Sequence, residues 1–390
     1  MKKLLALLLA FVMLLSLAAC GEKAGKGDDD STEPTEEVDY SAAVEEANNH
    51  IEKGDYQKAY DVLFAIKNPD EAVKALLSCF RFQPTTMESD LGAKIEYTYD
   101  DNGNMLKQNY TASNYNYTIT YTYDDQGNKL SEVSVYPYSS NSYSWTYDDK
   151  GNMLTKHYAD DYEEYTYTYT YDAKGNKVTE DYVHRYGEHT VTTYTYDANG
   201  NMLTKTHVDS EGRQTKETYT YDQKGNVLTE VYAYSDGYTI TRTNSYDDKG
   251  NLQVSNATNS DGESTKETYT YTADGKPLTI VLTNADGSSE SETYTYDDKG
   301  NVLTYEETSS EGIYRCKRFT YDTEGNVVTY EDVLSDGSVS KATITYDKYN
   351  NPTATSATQD GETMNTTMVW KLFYNPKFAD TENPFALNLM

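Results

Sequence analysis

Tyrosine is the residue that could do most in this 390-residue chain, which carries 41 of them. Tyr121, Trp145, Tyr169, Tyr194, Tyr219, Tyr269 and Tyr294 each stand six residues before a recurring glycine. A row of flat rings can stack on sugar faces, so these seven are the candidate ligand-contact aromatics. The same regularity also suits rings that form a core. "DDNGN" (100–104) and "DANGN" (197–201) offer carboxylate and amide oxygens at alternate positions. Glycine falls too early there for an EF-hand loop, and an Asp that accepts the next amide hydrogens caps a turn without any Ca²⁺. His157, His184, His189 and His207 fall in neighbouring segments. "HRYGEH" (184–189) spans a turn, so the helical histidine spacing of metalloproteases is missing, and the four read as surface histidines. We find no nucleophile elbow, phosphate loop or dinucleotide fingerprint. Asp and Tyr recur in equivalent surroundings, whereas an active site needs one place that differs. The expectation is a non-catalytic protein with no cofactor and no bound metal.

Charge narrows the partners. The chain holds 33 basic and 64 acidic residues, a net −31. Such a surface repels nucleic acid phosphates and anionic lipid headgroups, which excludes both as direct partners. Divalent cations and basic proteins stay open. Leu, Ile, Val and Phe together supply under a fifth of the residues, a composition that with this charge ordinarily gives a disordered chain. The tyrosines tip the balance back toward folding, since their large amphipathic rings favour strands.

The elements that would position these rings come from a repeat. The motif "YTYDDKGN" (294–301) has close copies anchored on Gly103, Gly127, Gly151, Gly175, Gly200, Gly225, Gly250, Gly275, Gly300 and Gly325, with Asn350 in the eleventh. Tyr stands four residues before the anchor in all eleven copies. Asp stands three before it except at Thr272, and Thr or Ser separates the aromatic pair. A weaker turn such as "SDG" (235–237) or "ADG" (285–287) lies midway between anchors. Two turns per repeat leave two strands of about eight residues, a β-hairpin. A three-residue loop would pair Tyr99 with Met105. A four-residue loop would pair Tyr97 with Leu106, a position that is apolar in nine of eleven copies. The amphipathic pattern favours the four-residue loop, with Tyr, Tyr and Leu facing inward.

The fold class is therefore mainly β: tandem antiparallel hairpins forming a long curled sheet, spiral or shell-like, because a twisted sheet of this many strands does not stay flat. A small α-helical segment precedes it. In 41–84 apolar residues recur at helical spacing, with breaks at Gly54-Asp55 and Asn68-Pro69, which predicts helices over 41–53, 56–66 and 70–80. "KGDYQKAYDVL" resembles the helix pair of tetratricopeptide repeats, too short for a binding superhelix and read as an end cap or docking segment. The tandem "YxYDxxGN" resembles the YD repeats of the RHS family over 97–351. That resemblance implies curled β-sheets and β-shells, although the residue after the glycine, often Arg in the family, is mostly Asn here. Nothing after residue 351 resembles the self-cleaving segment or variable toxin that large members of that family enclose. "TTMVWKLFYN" (366–375) breaks the pattern and is expected to cover the open sheet edge.

At the start, Lys2 and Lys3 precede an apolar run, Leu4–Leu15, and then "LAAC" (17–20). This resembles the lipobox of bacterial lipoproteins, which implies cleavage before Cys20 and diacylglyceryl attachment to its thiol. The reading divides the chain into a signal peptide (1–20), an acidic tether (21–40), the helical cap (41–84), eleven hairpin repeats (95–351) and closing strands with a tail (352–390). Cys79 and Cys316 read as two unrelated thiols. The functional expectation is an extracytoplasmic lipoprotein, anchored to the outer face of the bacterial cell membrane, whose array serves interaction or adhesion with glycans or surface proteins. A structural spacer or shell, or a toxin-related protein lacking its toxin domain, is the alternative.

Overall fold

A computed structural model describes residues 40–312, 314–359 and 361–375. The signal peptide, Cys20, nearly all of the tether and the last fifteen residues lie outside them. The described chain is mainly β, with 24 strands in antiparallel pairing and three helices. It divides into two compact units: 40–116 with 320–330 and 340–375, and 117–319 with 331–339.

In the first unit the helices are α1 (Ser41–Glu52), α2 (Tyr56–Phe64) and α3 (Glu71–Leu77). Gly54, at φ 72°, makes the break between α1 and α2. Asp70 caps α3 by accepting from the Val73 amide at 2.8 Å. Ala47, Ala59, Leu63 and Val73 are fully buried and form a core with Phe80. Phe80 opens β1 (Phe80–Ser89), which pairs on one side with β2 (Lys94–Tyr99) and on the other with β24 (Glu362–Tyr374). β24 also pairs with β23 (Pro352–Gln359). The first and last strands are thus hydrogen-bonded neighbours. A spiral would leave both as bare edges, so the expected open spiral is overturned. Alternation shows why β24 fits: Met364, Thr366 and Met368 are buried while the residues between them face out.

The second unit is an up-and-down run of eight-residue strands such as β12 (Gln214–Tyr221), β13 (Val227–Tyr234) and β14 (Thr239–Tyr246). Only Ser134, Thr192, Ser255 and Cys316 are buried among its described residues. Among the described residues its fully shielded side chains are thus few and small. The expected inward Tyr–Tyr–Leu face fails for a local reason. In β2 and β3 (Met105–Ala112), Tyr99 lies opposite Met105 but Thr98 lies opposite Lys107. Leu106 is the extra residue of a β-bulge, and Tyr97 faces Gln108 rather than Leu106. The same slip recurs at Thr146/Tyr147, Thr195/Tyr196, Thr220/Tyr221 and Thr270/Tyr271. Leu106 is 39% exposed, and Leu154, Leu203 and Leu228 are similarly open.

The turn that precedes each bulge uses every letter of its motif. Asp222 N donates to Asn226 O at 2.9 Å, and Gly225 N donates to Asp222 O at 3.2 Å. Asp222 Oδ1 accepts from the amides of Lys224 and Asn226, and Oδ2 accepts from Asn226 Nδ2. Gly225 sits at φ 90°, a left-handed conformation that L side chains rarely adopt. Tyr221 Oη donates to Met202 O, on the preceding hairpin, at 2.6 Å. The equivalent brace links Tyr171 to Met153, Tyr196 to Lys177, Tyr271 to Leu252 and Tyr296 to Pro277. In β24 the indole of Trp370 takes this role, donating to Pro352 O at 2.6 Å.

Candidate functional site: an aromatic face and its rim

The seven candidate aromatics are aligned by the meander. Tyr121, Trp145, Tyr169 and Tyr194 lie on β4 (Tyr115–Tyr123), β6 (Ser140–Tyr147), β8 (Glu164–Tyr171) and β10 (His189–Tyr196). Tyr219 is on β12, and Tyr269 and Tyr294 are on β16 (Ser264–Tyr271) and β18 (Ser289–Tyr296). All seven are half-buried. Directly opposite the first five stand Glu132, Lys156, Glu180, Lys205 and Glu230, alternating in sign. Lys129 Nζ lies 4.9 Å from the Tyr121 ring centre and 5.4 Å from that of Trp145. Lys177 relates in the same way to Tyr194 and Tyr169. Farther along, Tyr219, Tyr269 and Tyr294 donate to Glu217, Glu267 and Glu292 at 2.6–2.7 Å.

Burial, helped by neighbouring carboxylates, raises the phenol pKa of Tyr121, Tyr219, Tyr269 and Tyr294, and pushes Tyr169 to about 12. These hydroxyls therefore stay protonated at neutral pH and act as donors. The face is a polar–aromatic lattice, neither a greasy core nor a bare stacking platform. Its Thr-bearing opposite face is knitted by hydroxyl pairs such as Thr146–Thr155 and Thr220–Thr229, at 2.7 and 2.6 Å.

The four histidines do not converge. His157 approaches Glu164 at 3.2 Å, His189 approaches Asp181 at 2.8 Å, His207 meets the Thr192 hydroxyl, and His184 packs on Tyr186. Among the described residues no group of three or more His, Cys, Asp or Glu is placed to hold a metal ion. The Asp100 and Asp197 carboxylates are each taken up by turn amides and an Asn side chain. Cys316 is a buried thiol outside any disulfide.

Sequence reasoning passed over a second aromatic set. Tyr138, Tyr162 and Tyr186 sit on the turns opposite the Asp-Gly turns, 96%, 76% and 71% exposed. In later copies that tip carries acid instead, as Glu211, Asp236 and Asp261. The signal was available: the three tyrosines are spaced by the repeat length, in the weaker turn where "SDG" is otherwise found.

No family model matches the chain, and no curated protein matches it. Among solved structures, it is similar to TcdB2-TccC3 without its hypervariable C-terminal region, at 13% identity and a TM-score of 0.32. That similarity covers 76% of this chain and 18% of the other, so the chain spans less than a fifth of that structure's length. A porin-like protein from Bacteroides uniformis is similar at 11% identity and a TM-score of 0.23, over 59% of this chain and 94% of that one. Another, from Bacteroides vulgatus, is similar at 10% identity and a TM-score of 0.19, covering 68% and 97%.

Proposed function

We propose that the chain is a lipoprotein anchored through Cys20 on the outer face of the bacterial cell membrane, and that its YD-like array is a non-catalytic interaction or adhesion module for a glycan or a surface protein. The kinship with RHS-family YD repeats is part of this reading and rests on the in-phase motif. The observation that carries it is the aromatic face, where half-exposed rings repeat on every second strand from β4 to β12 and again on β16 and β18, each with a charged or hydroxyl neighbour. Amphipathic rings with adjacent hydrogen-bonding groups are the usual equipment of recognition surfaces. Repetition supports an extended or multivalent ligand, because weak contacts in a row sum to useful avidity.

The test is binding of the full-length protein, in detergent micelles, to arrays of glycans and of bacterial and host surface proteins. A specific ligand, with affinity lowered when aromatic residues of the array are replaced by Ala, supports the reading. Absence of any ligand across both arrays would leave the plain envelope spacer as the better account.

A further inference from the structure

One departure from the repeat forms a row. Three consecutive hairpins carry Tyr138, Tyr162 and Tyr186 at their tips, and these are among the most exposed large apolar side chains of the described residues. Each tip is one hairpin, two strands, along from the last. At a strand spacing of ~4.8 Å, neighbouring tips stand about 10 Å apart. Each tip is held in shape. Tyr136 N donates to Ser139 O at 2.9 Å across Pro137 and Tyr138. Asp160 Oδ1 accepts from the amides of Tyr162 and Glu163 at 2.7 and 2.6 Å. Tyr186 Oη donates to Tyr162 O at 3.1 Å, which ties the second tip to the third. The Arg185 guanidinium lies 5.0 Å from the centre of the Tyr186 ring. The backbone of each tip is thus fixed, and the Tyr186 ring with it, which limits the conformational freedom lost on binding.

From this we infer that the tips of these three hairpins form the ligand site of the array, and that the ligand is an extended, uncharged β-linked polysaccharide. This rests on the interaction-module reading and narrows it. A hexose offers a ring one face of C–H groups, and in an extended β-linked chain the same face returns every second sugar. That return is close to the spacing of neighbouring tips, so three rings engage alternate sugars of one strand. Asp161 and Glu163 flank the middle ring, exposed and able to accept from sugar hydroxyls. The net charge of −31 disfavours polyuronates and sulfated glycans. Later copies carry acid at the tip position itself, and beside Asp236 the rings of Tyr234 and Tyr238 pack on each other with centres 5.8 Å apart.

The experiment is co-sedimentation of the full-length protein in detergent with insoluble cellulose and chitin, plus affinity electrophoresis in soluble β-glucan and in polygalacturonate as a charged control. Wild type is expected to be retarded by at least one neutral polymer and not by polygalacturonate. Single Tyr→Ala changes at 138, 162 or 186 should each weaken binding about fivefold to tenfold, and the triple variant about a hundredfold or more. The acidic-tip variant Glu211→Ala/Asp236→Ala/Asp261→Ala should bind like wild type. Circular dichroism confirms that the triple variant is folded, as its exposed positions lead us to expect. If the triple variant binds as wild type does, the site is elsewhere. If wild type binds none of the neutral polymers, the ligand class is wrong. A protein ligand found in place of a polysaccharide also overturns this inference while leaving the interaction-module reading intact.

Discussion

At the scale of single residues, the motif is a set of instructions for one turn and one brace. Asp222 supplies acceptors for amides that have no strand partner, Gly225 supplies the left-handed step, and Tyr221 reaches across to the preceding hairpin. Tyr221→Phe removes one hydrogen bond and keeps the ring, so it should cost about 1 kcal/mol in reversible urea unfolding of the full-length protein. Gly225→Ala keeps the turn sequence and forces a Cβ into left-handed backbone. It should cost about 1–2 kcal/mol on the same measurement, more than the same change at a glycine with ordinary φ. The turn was legible in the sequence because its chemistry is local: Asp capping and glycine handedness need no knowledge of distant contacts. The role of Tyr221 was not legible, since its acceptor lies nineteen residues away along the chain and depends on strand order.

At the scale of elements, the hairpins were readable and their register was not. Apolar residues at the Leu106 position suggested an inward stripe, but a bulge takes that residue out of the pairing. Bulges insert without changing the repeat length, so spacing alone could not reveal one. The eleventh turn departs from the motif for a reason that lies in the helices. Tyr349 packs on Phe82, Tyr60 and Phe64, with ring centres 5.0–5.6 Å apart. Its hydroxyl accepts from Gln57 Nε2 at 2.8 Å and contacts Asp61. Asn350 stands at the glycine position with φ 65°. Tyr349 is thus the clasp that joins the helical segment to the strands of its own unit. Tyr349→Ala should make α1–α3 susceptible to limited proteolysis at protease levels that leave wild type intact, while the strand signal in circular dichroism stays unchanged. Equal resistance in both proteins would show that the Ala47–Phe80 core holds the helices unaided.

At the scale of the whole molecule, repetition turns small electrostatic preferences into a pH window. The turn carboxylates of Asp148, Asp172, Asp197 and Asp222 sit below their ordinary 3.8, chiefly because an Asn side chain donates to each. Their stabilisation is present above 3.8 and is lost as pH falls through the lower folded values. The phenols run the other way. A hydrogen bond to Asp160 holds Tyr158 up at about 12, one to Glu230 does so for Tyr232, and burial does so for Tyr169, all from 10.0. Their stabilisation is full below 10.0 and is lost as pH climbs toward 12. Part of the phenolate absorbance should therefore appear together with loss of strand circular dichroism between pH 10 and 12, and complete phenolate formation with the sheet intact would contradict this. The pairing that joins the ends of the chain tests the architecture most directly. Glu88 and Thr367 are exposed cross-strand partners in β1 and β24. Glu88→Cys/Thr367→Cys in the full-length protein should oxidise in air to an intramolecular disulfide, seen by peptide mapping, with thermal stability kept. Thiols that remain reduced, or that cross-link only between molecules, would show that the first and last strands are not neighbours.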